Sequence, residues 1–154
     1  ETLERLEKLT ESYPDEIEMT VMLAKGLFNL SVDQEETGAK ETLERLEKLT
    51  ERYPDEVEIK IELAKGLVNL SNKQDEKGAR ETLKRLEHLA VGYPDEPEIA
   101  VVLAKGLINF GFAHGEAGAK EVFECLGRLN MKHPKIFEKV NEFIQGLLNS
   151  LDTD

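Results

Sequence analysis

The sequence is poor in the residues that build disulfides and aromatic cores. It has a single cysteine, Cys125, no tryptophan, and only 6% aromatic residues. One cysteine excludes an intramolecular disulfide, and no histidine is expected beside it, so we interpret it as an unreactive thiol of a reducing, cytoplasmic compartment. The longest apolar run, Ile99–Ala104, is far too short to cross a bilayer. We therefore expect no transmembrane helix and no membrane partner.

Positive charge is also scarce. The chain has 20 lysine and arginine residues against 32 aspartate and glutamate residues, which gives a net charge of −12. Such a field repels phosphate backbones, and no basic stripe with interleaved aromatics offsets it, so nucleic acid is not an expected partner. We interpret the acidity as solvated helix faces that keep the protein soluble, with an acidic surface that selects a basic partner as the alternative.

Motifs for catalysis and metal binding are missing as well. His88, His114 and His133 have no metal-ligand spacing with one another or with Cys125. The acidic segment 33–36 lacks the alternating oxygen ligands and central glycine of a calcium loop. No phosphate-binding glycine loop, Ser-His-Asp arrangement or dinucleotide fingerprint occurs. The sequence therefore predicts no enzyme, no catalytic residue, no metal and no cofactor.

What the sequence does have is an internal repeat of 40 residues. The first copy opens ETLERLEKLTESYPDE, and about 28 of its 40 positions are identical in the second copy. A period of this length is typical of proteins built from stacked repeats, in which each unit relies on its neighbours to bury its apolar face. We expect one domain over 1–154, with a degenerate C-terminal capping repeat at 121–154. The three regular repeats are 1–40, 41–80 and 81–120.

Each repeat predicts two antiparallel helices. Leucines at three-residue steps from Leu3 to Leu9 form the apolar face of a first helix, which we call the leucine helix. Pro14 ends it, because the residue before a proline is disfavoured in helical geometry. Asp15 and Glu18 have the spacing of a capping box, which predicts the start of a second helix.

The second helix, which we call the glycine helix, carries the most repeated string of the chain, Leu-Ala-Lys-Gly-Leu-x-Asn. A glycine inside a helix costs about 1 kcal/mol relative to alanine. Its recurrence predicts a close approach of two helices that leaves no room for a side chain. A polar loop is expected over 32–38, before the next leucine helix. The glycines concerned are Gly26, Gly66, Gly106 and Gly146.

These patterns predict an all-α protein, a right-handed superhelical solenoid of antiparallel helix hairpins with about eight helices. The leucine helices are expected near 1–13, 39–53, 79–93 and 119–132. The glycine helices are expected near 15–32, 55–72, 95–111 and 135–151.

When the unit is taken from its glycine helix, it resembles the tetratricopeptide repeat. Leu23-Ala24 together with Leu27 is similar to the pattern of the first helix of that family. The period here is 40 rather than 34 residues, and we expect the additional residues in the loop over 32–38. The residues that resemble the second helix of the family are Thr42, Leu46, Leu49 and Pro54.

The resemblance implies a non-enzymatic scaffold whose first helices line a concave groove that holds a peptide or a segment of a partner protein. Each lysine and asparagine pair of the glycine helices is spaced i, i+4, so both side chains project from one face. Asparagine can hydrogen-bond the backbone of an extended peptide, and lysine can pair with a carboxylate. The candidate groove residues are Met22, Lys25, Asn29, Lys65, Asn69, Val102, Lys105 and Asn109.

Two alternatives stay open at this point. The recurrence of lysine and asparagine can record duplication alone, with the lysines paired to nearby acids and the asparagines tied to the loop. The third glycine helix is apolar almost all round, and we expect it to pack against Val140, Phe143, Ile144 and Leu147 of the last helix. Otherwise the apolar surface of helices 95–111 and 135–151 makes the protein a structural module that homo-oligomerises.

Overall fold

The chain folds into helices joined by short links. The structure is a computed structural model that describes residues 1–152, with the side chains of all of these except residues 147, 148 and 150–152. This part of the chain contains eight helices and no strand, so the all-α prediction is confirmed. The helices are α1 (Thr2–Ser12), α2 (Ile17–Asp33), α3 (Glu36–Arg52), α4 (Val57–Lys73), α5 (Glu76–Gly92), α6 (Pro97–Ala113), α7 (Gly115–Lys132) and α8 (Pro134–Asp152).

The helices form two layers. Each helix packs on the next one along the chain, and the even-numbered helices also pack directly on one another, α2 on α4, α4 on α6 and α6 on α8. We call these four the even layer. Neighbouring odd-numbered helices, which we call the odd layer, make few close backbone contacts. The right-handed sense of the array stays a prediction.

Three of the four recurring glycines mark close contacts between the layers. A Cβ atom added at Gly26 would lie 2.5 Å from a methyl carbon of Leu3, and one added at Gly106 would lie 2.8 Å from the equivalent leucine of α5. Gly66 meets the leucine of α3 more closely still. The predicted close approach is therefore confirmed at these positions. At Gly146 no described atom lies within 4 Å of the added Cβ, so the prediction is wrong there.

The link between α2 and α3 differs from the predicted loop over 32–38. Helix α2 continues to Asp33 and α3 begins at Glu36, so the additional residues of the repeat lengthen the helices rather than a loop. A polar side chain of this link bonds to the following helix, because the Thr42 hydroxyl on α3 donates a hydrogen bond of 2.6 Å to the side-chain carbonyl of Gln34. The same bond recurs 40 residues later.

The corner between α1 and α2 also differs from the prediction. The capping box expected at Asp15 is wrong, since the N-cap residue is Glu16 and its side chain accepts no backbone hydrogen bond. The main chain closes the corner instead, because the N–H of Glu16 donates to the carbonyl of Tyr13 at 3.1 Å. The Tyr53 hydroxyl, from the next corner, donates to the Pro14 carbonyl at 3.2 Å and ties adjacent repeats together.

The apolar surface of α6 lies mostly in the core. Its residues Ile99, Leu103 and Phe110 are buried, and α6 packs between α4 and α8. On α8, Val140 is fully buried, and Phe143 packs against the same core, while the side chain of Leu147 lies outside the described residues. The expected packing of these two helices is thereby confirmed for the described side chains. Over 1–152, none of the helices combines the length and apolar character that a bilayer crossing requires.

Candidate interaction surface on the even layer

The predicted groove residues, except Val102, fall on the solvent-facing side of the even layer. On α2, the exposed positions follow one another at steps of three and four residues, as expected for one face of a helix that is buried on its other sides. We call this face, with its equivalents on α4 and α6, the even-layer stripe. On α2 it consists of Glu18, Met22, Lys25, Asn29 and Val32.

Contacts between helices show that the stripes of α2 and α4 are adjacent. The ammonium of Lys25 lies 3.9 Å from the carboxylate of Glu58 on the next even helix. Lys65 pairs with Glu62 on its own helix at 3.0 Å, and its ammonium also lies 5.6 Å from the centre of the Phe28 ring on α2. Both lysines therefore already have an acidic neighbour.

The third lysine differs from the first two. Lys105 is exposed, and no carboxylate within the described part of the chain lies within 4.0 Å of its ammonium. The pair formed by Lys25 is more than half exposed on both sides, so it contributes little to stability. The stripe therefore offers one unengaged cation and one that can exchange its partner at small cost.

The asparagines of the stripe are available for hydrogen bonds. Asn29 and Asn109 are exposed and Asn69 is half-buried. None of the three side-chain amides makes a hydrogen bond to another residue described by the structure. Each amide carries two donor hydrogens and one carbonyl acceptor, so the stripe presents a repeated set of polar groups to solvent.

One predicted groove residue is misplaced. Val102 is only 9% exposed, so it does not lie on the exposed face with the other predicted groove residues, whereas Met22 at the equivalent position of α2 is 61% exposed. The reason lies in the neighbours of each helix, because α6 is covered by α4 and α8 on its two sides and α2 is covered by α4 alone. Glu62 on α4 is buried for the same reason and keeps its charge paired with Lys65.

The structure also contains a buried lysine that the sequence analysis missed. Lys60 on α4 is 2% exposed, its ammonium has no hydrogen-bond partner among the described residues, and it lies 4.3 Å from the centre of the Tyr93 ring. A cation over an aromatic face is attracted to the electrons of the ring. An alignment of the copies could have indicated that Lys60 is buried, because the small residues Thr20 and Ala100 hold the equivalent positions in the other copies. Both of these residues are buried in the structure.

Ion pairs bridge the odd layer, where the helices lie further apart. Arg45 on α3 donates to Glu7 on α1 at 2.9 Å, and Arg85 on α5 donates to Glu47 on α3 at 2.7 Å. These bridges repeat because the repeats supply the same glutamate and arginine. They connect neighbouring odd helices, whose backbones make few close contacts.

The third bridge of the odd layer uses a different arginine. Cys125 takes the place of the repeated arginine, and Arg128, three residues later, donates two hydrogen bonds of 3.0 Å to the carboxylate of Glu87. Burial alone would raise the pKa of Glu87, but the hydrogen bonds and the charge of Arg128 outweigh it and lower that pKa. Burial and the adjacent Glu87 raise the pKa of the Cys125 thiol to about 12. The thiol is therefore neutral and unreactive at ordinary pH.

The chain has no match among the known proteins with which it was compared. Within residues 1–152, no three His, Cys, Asp or Glu side chains are grouped closely enough to hold a metal ion. Comparison with protein-family models, curated proteins and solved structures finds no match. The tetratricopeptide resemblance therefore stays a prediction from the repeat pattern.

Proposed function

We propose that the protein is a non-enzymatic interaction scaffold whose even-layer stripe binds a peptide or an extended segment of a partner protein. The observation that supports this most directly is the set of asparagine amides, which recur on side-by-side helices and have no hydrogen bond within the described part of the chain. Polar groups left open in a regular row suit the regularly spaced N–H and C=O groups of an extended chain. The residues are Asn29, Asn69 and Asn109.

The spacing of the helices suits an extended peptide. Packed helices lie about 8–10 Å apart, and an extended chain advances about 3.3 Å per residue. One asparagine therefore meets the backbone at about every third residue of a peptide that crosses the even layer. Between these contacts, the apolar parts of Phe28 and Val68 can contact its side chains.

The lysines favour a partner with a carboxylate near the third repeat. Lys105 is the stripe lysine without a carboxylate nearby among the described residues, and it lies one helical turn from Asn109. A carboxylate there would accept charge-assisted hydrogen bonds, which are roughly twice as strong as neutral ones. Lys25 and Lys65 would have to leave their present partners to make the same contact.

A peptide selection tests this proposal. A phage library of unstructured peptides is selected on the wild-type protein, and the enriched peptides are then measured against the triple variant Asn29→Ala/Asn69→Ala/Asn109→Ala. We expect binding to weaken by at least about tenfold, because several hydrogen bonds to the peptide backbone are lost. Asn130→Ala, at an exposed asparagine on α7 in the odd layer, is the control and should leave binding unchanged.

The contrary outcomes are also defined. Failure to enrich any peptide would refute the role of the stripe, and equal binding by the triple asparagine variant would refute the role of its asparagines. A second variant, Lys25→Ala/Lys65→Ala/Lys105→Ala, separates the contribution of charge. If only this variant loses binding, the partner is held by its carboxylates and the asparagines are relics of duplication.

A second candidate function is self-association through the C-terminal units. The exposed apolar side chains that favour it are Phe112 at 83%, Phe123 at 74% and Met131 at 87% exposed. These side chains differ from the surface that the sequence predicts on helices 95–111 and 135–151, because most apolar side chains of α6 are buried and Phe123 and Met131 lie on α7. Sedimentation velocity over a range of concentrations decides this point. A dimer that Phe112→Ser/Phe123→Ser abolishes would support it, and a monomer at high concentration would exclude it.

A further inference from the structure

A basic cleft lies in the odd layer, on the other side of the molecule's core from the stripe. It has a volume of about 270 Å³, lies between α5 and α7, and reaches the corner where α7 turns into α8. Three cationic side chains and two imidazoles line it, and its one carboxylate, Glu87, is already bound by an arginine. The basic residues are Lys84, His88, Arg128, Lys132 and His133.

Comparison with the earlier repeats shows that this charge is local to the third and fourth units. With histidine neutral, the lining positions carry three cations and one carboxylate, a formal charge of +2. The same positions 40 residues earlier carry one lysine and three glutamates, a charge of −2. At 80 residues earlier, three cations and three glutamates give zero. A chain of net charge −12 therefore concentrates positive charge at one place on its surface.

Two substitutions account for most of the reversal. Lys84 replaces the glutamate that occupies this position in the first two repeats, and Val91 replaces another glutamate of the same repeats. Val91 and Leu129 form apolar walls of the cleft. Such walls lower the local dielectric constant and strengthen an interaction between a bound anion and the surrounding cations.

The cations of the cleft are available to a ligand. Arg128 uses its Nε and one terminal nitrogen for Glu87, which leaves the other terminal nitrogen with its two donor hydrogens. Lys84 and Lys132 are exposed, and neither has a carboxylate within 4.0 Å in the part of the chain that the structure describes. Lys84 and Lys132 therefore line the cleft without a carboxylate of the described residues beside them, and Arg128 keeps one terminal nitrogen that Glu87 does not use.

We propose that this cleft binds a phosphate group. A phosphate dianion has several oxygens that accept hydrogen bonds from lysine, arginine and histidine at once. The volume of about 270 Å³ is ample for one phosphate group. The acidic remainder of the surface repels extended polyanions and leaves a single phosphate as the suitable charge.

An NMR titration of the full chain tests the proposal. Inorganic phosphate and O-phosphoserine are added separately up to about 10 mM, at constant ionic strength, and serine serves as the uncharged probe. We expect saturable shifts confined to amides of α5, α7 and the corner at His133 with both phosphate compounds and none with serine. Tighter binding of phosphoserine would identify a phosphorylated protein as the source, and tighter binding of inorganic phosphate would identify the free anion.

Charge variants make the test specific to the cleft. Lys84→Glu/Lys132→Ser restores residues found at these positions in the first repeat and should weaken phosphate binding by at least about tenfold. Lys8→Glu makes a comparable charge change at an exposed position of α1 and should leave binding unchanged. Absence of saturable shifts in the wild type, or equal affinity in the double variant, would overturn the proposal. Peptide binding to the even-layer stripe should be the same in all these proteins.

Discussion

Lys60→Met tests whether the buried ammonium of α4 stabilises or destabilises the protein. Methionine keeps the length and the apolar stem of the side chain, and its helix propensity is close to that of lysine. The substitution removes the positive charge of Lys60, a residue that is only 2% exposed. The ammonium that carries this charge has no hydrogen-bond acceptor among the described residues. The contact with the Tyr93 ring, at 4.3 Å, is the one visible compensation for the lost hydration of the charge.

The expected gain follows from these opposing contributions. The effective cost of burying an ion in a protein is several kcal/mol, while a desolvated cation over an aromatic ring recovers about 2 kcal/mol. We therefore expect the free energy of unfolding to rise by about 1–3 kcal/mol. With a urea dependence of about 2 kcal/mol per molar, the midpoint of unfolding should increase by about 0.5–1.5 M.

The measurement is urea unfolding followed by circular dichroism at the helix band. Lys48→Met, the same chemical change at an exposed position of α3, is the control and should shift stability by less than about 0.5 kcal/mol. A midpoint for Lys60→Met below that of the wild type would refute the reasoning. It would mean that the tyrosine ring more than offsets the lost hydration.

Three further predictions concern the packing and the odd layer. Gly66→Ala should destabilise the protein by up to about 2 kcal/mol, because overpacking of its Cβ against a leucine of α3 costs about 1–3 kcal/mol and helix propensity returns about 1 kcal/mol. Gly146→Ala, with open space around its Cβ in the described part, should stabilise α8 by about 0.5–1 kcal/mol in thermal unfolding. The thiol of Cys125 should react with a disulfide reagent only when urea unfolds the chain, since it is buried and its pKa is about 12; fast reaction of the folded protein would contradict this. Glu87→Gln should destabilise the protein at neutral pH, because the carboxylate of Glu87 pairs with Arg128. Since the folded state lowers the pKa of Glu87, the difference in stability between wild type and variant should disappear as the pH falls through that pKa. A difference in stability that does not depend on pH would argue against the ion pair with Arg128.

The repeat period made most of the fold predictable. Helix boundaries follow from hydrophobic spacing and from Pro14, and glycines at fixed intervals predict close packing. The link over 32–38 was not predictable from polarity, because the exposed side of a helix end is as polar as a loop. The hydrogen bond between Thr42 and Gln34 shows that a polar residue of the link connects to helix α3.

The surface was predictable only in part. Helical periodicity identifies the stripe that contains Asn29, because a helix buried on its other sides leaves one face to solvent. The same argument failed for Val102 and did not reveal that Lys60 is buried, since burial on α4 and α6 depends on the helices that cover them from both sides. The spacing of residues along one helix does not contain that information, although the residues at equivalent positions in the other copies give an indication of it.

The two layers differ in how they resist deformation. The even layer is a close-packed column of helices, so shortening or stretching it disturbs the core itself. The odd layer is held across its clefts by exposed ion pairs such as Arg85–Glu47, each worth about 0–1 kcal/mol and weakened by salt. We therefore expect the odd layer to deform more easily than the even layer. Salt concentration should change the curvature of the molecule, and with it the span over which the asparagines can grip an extended chain.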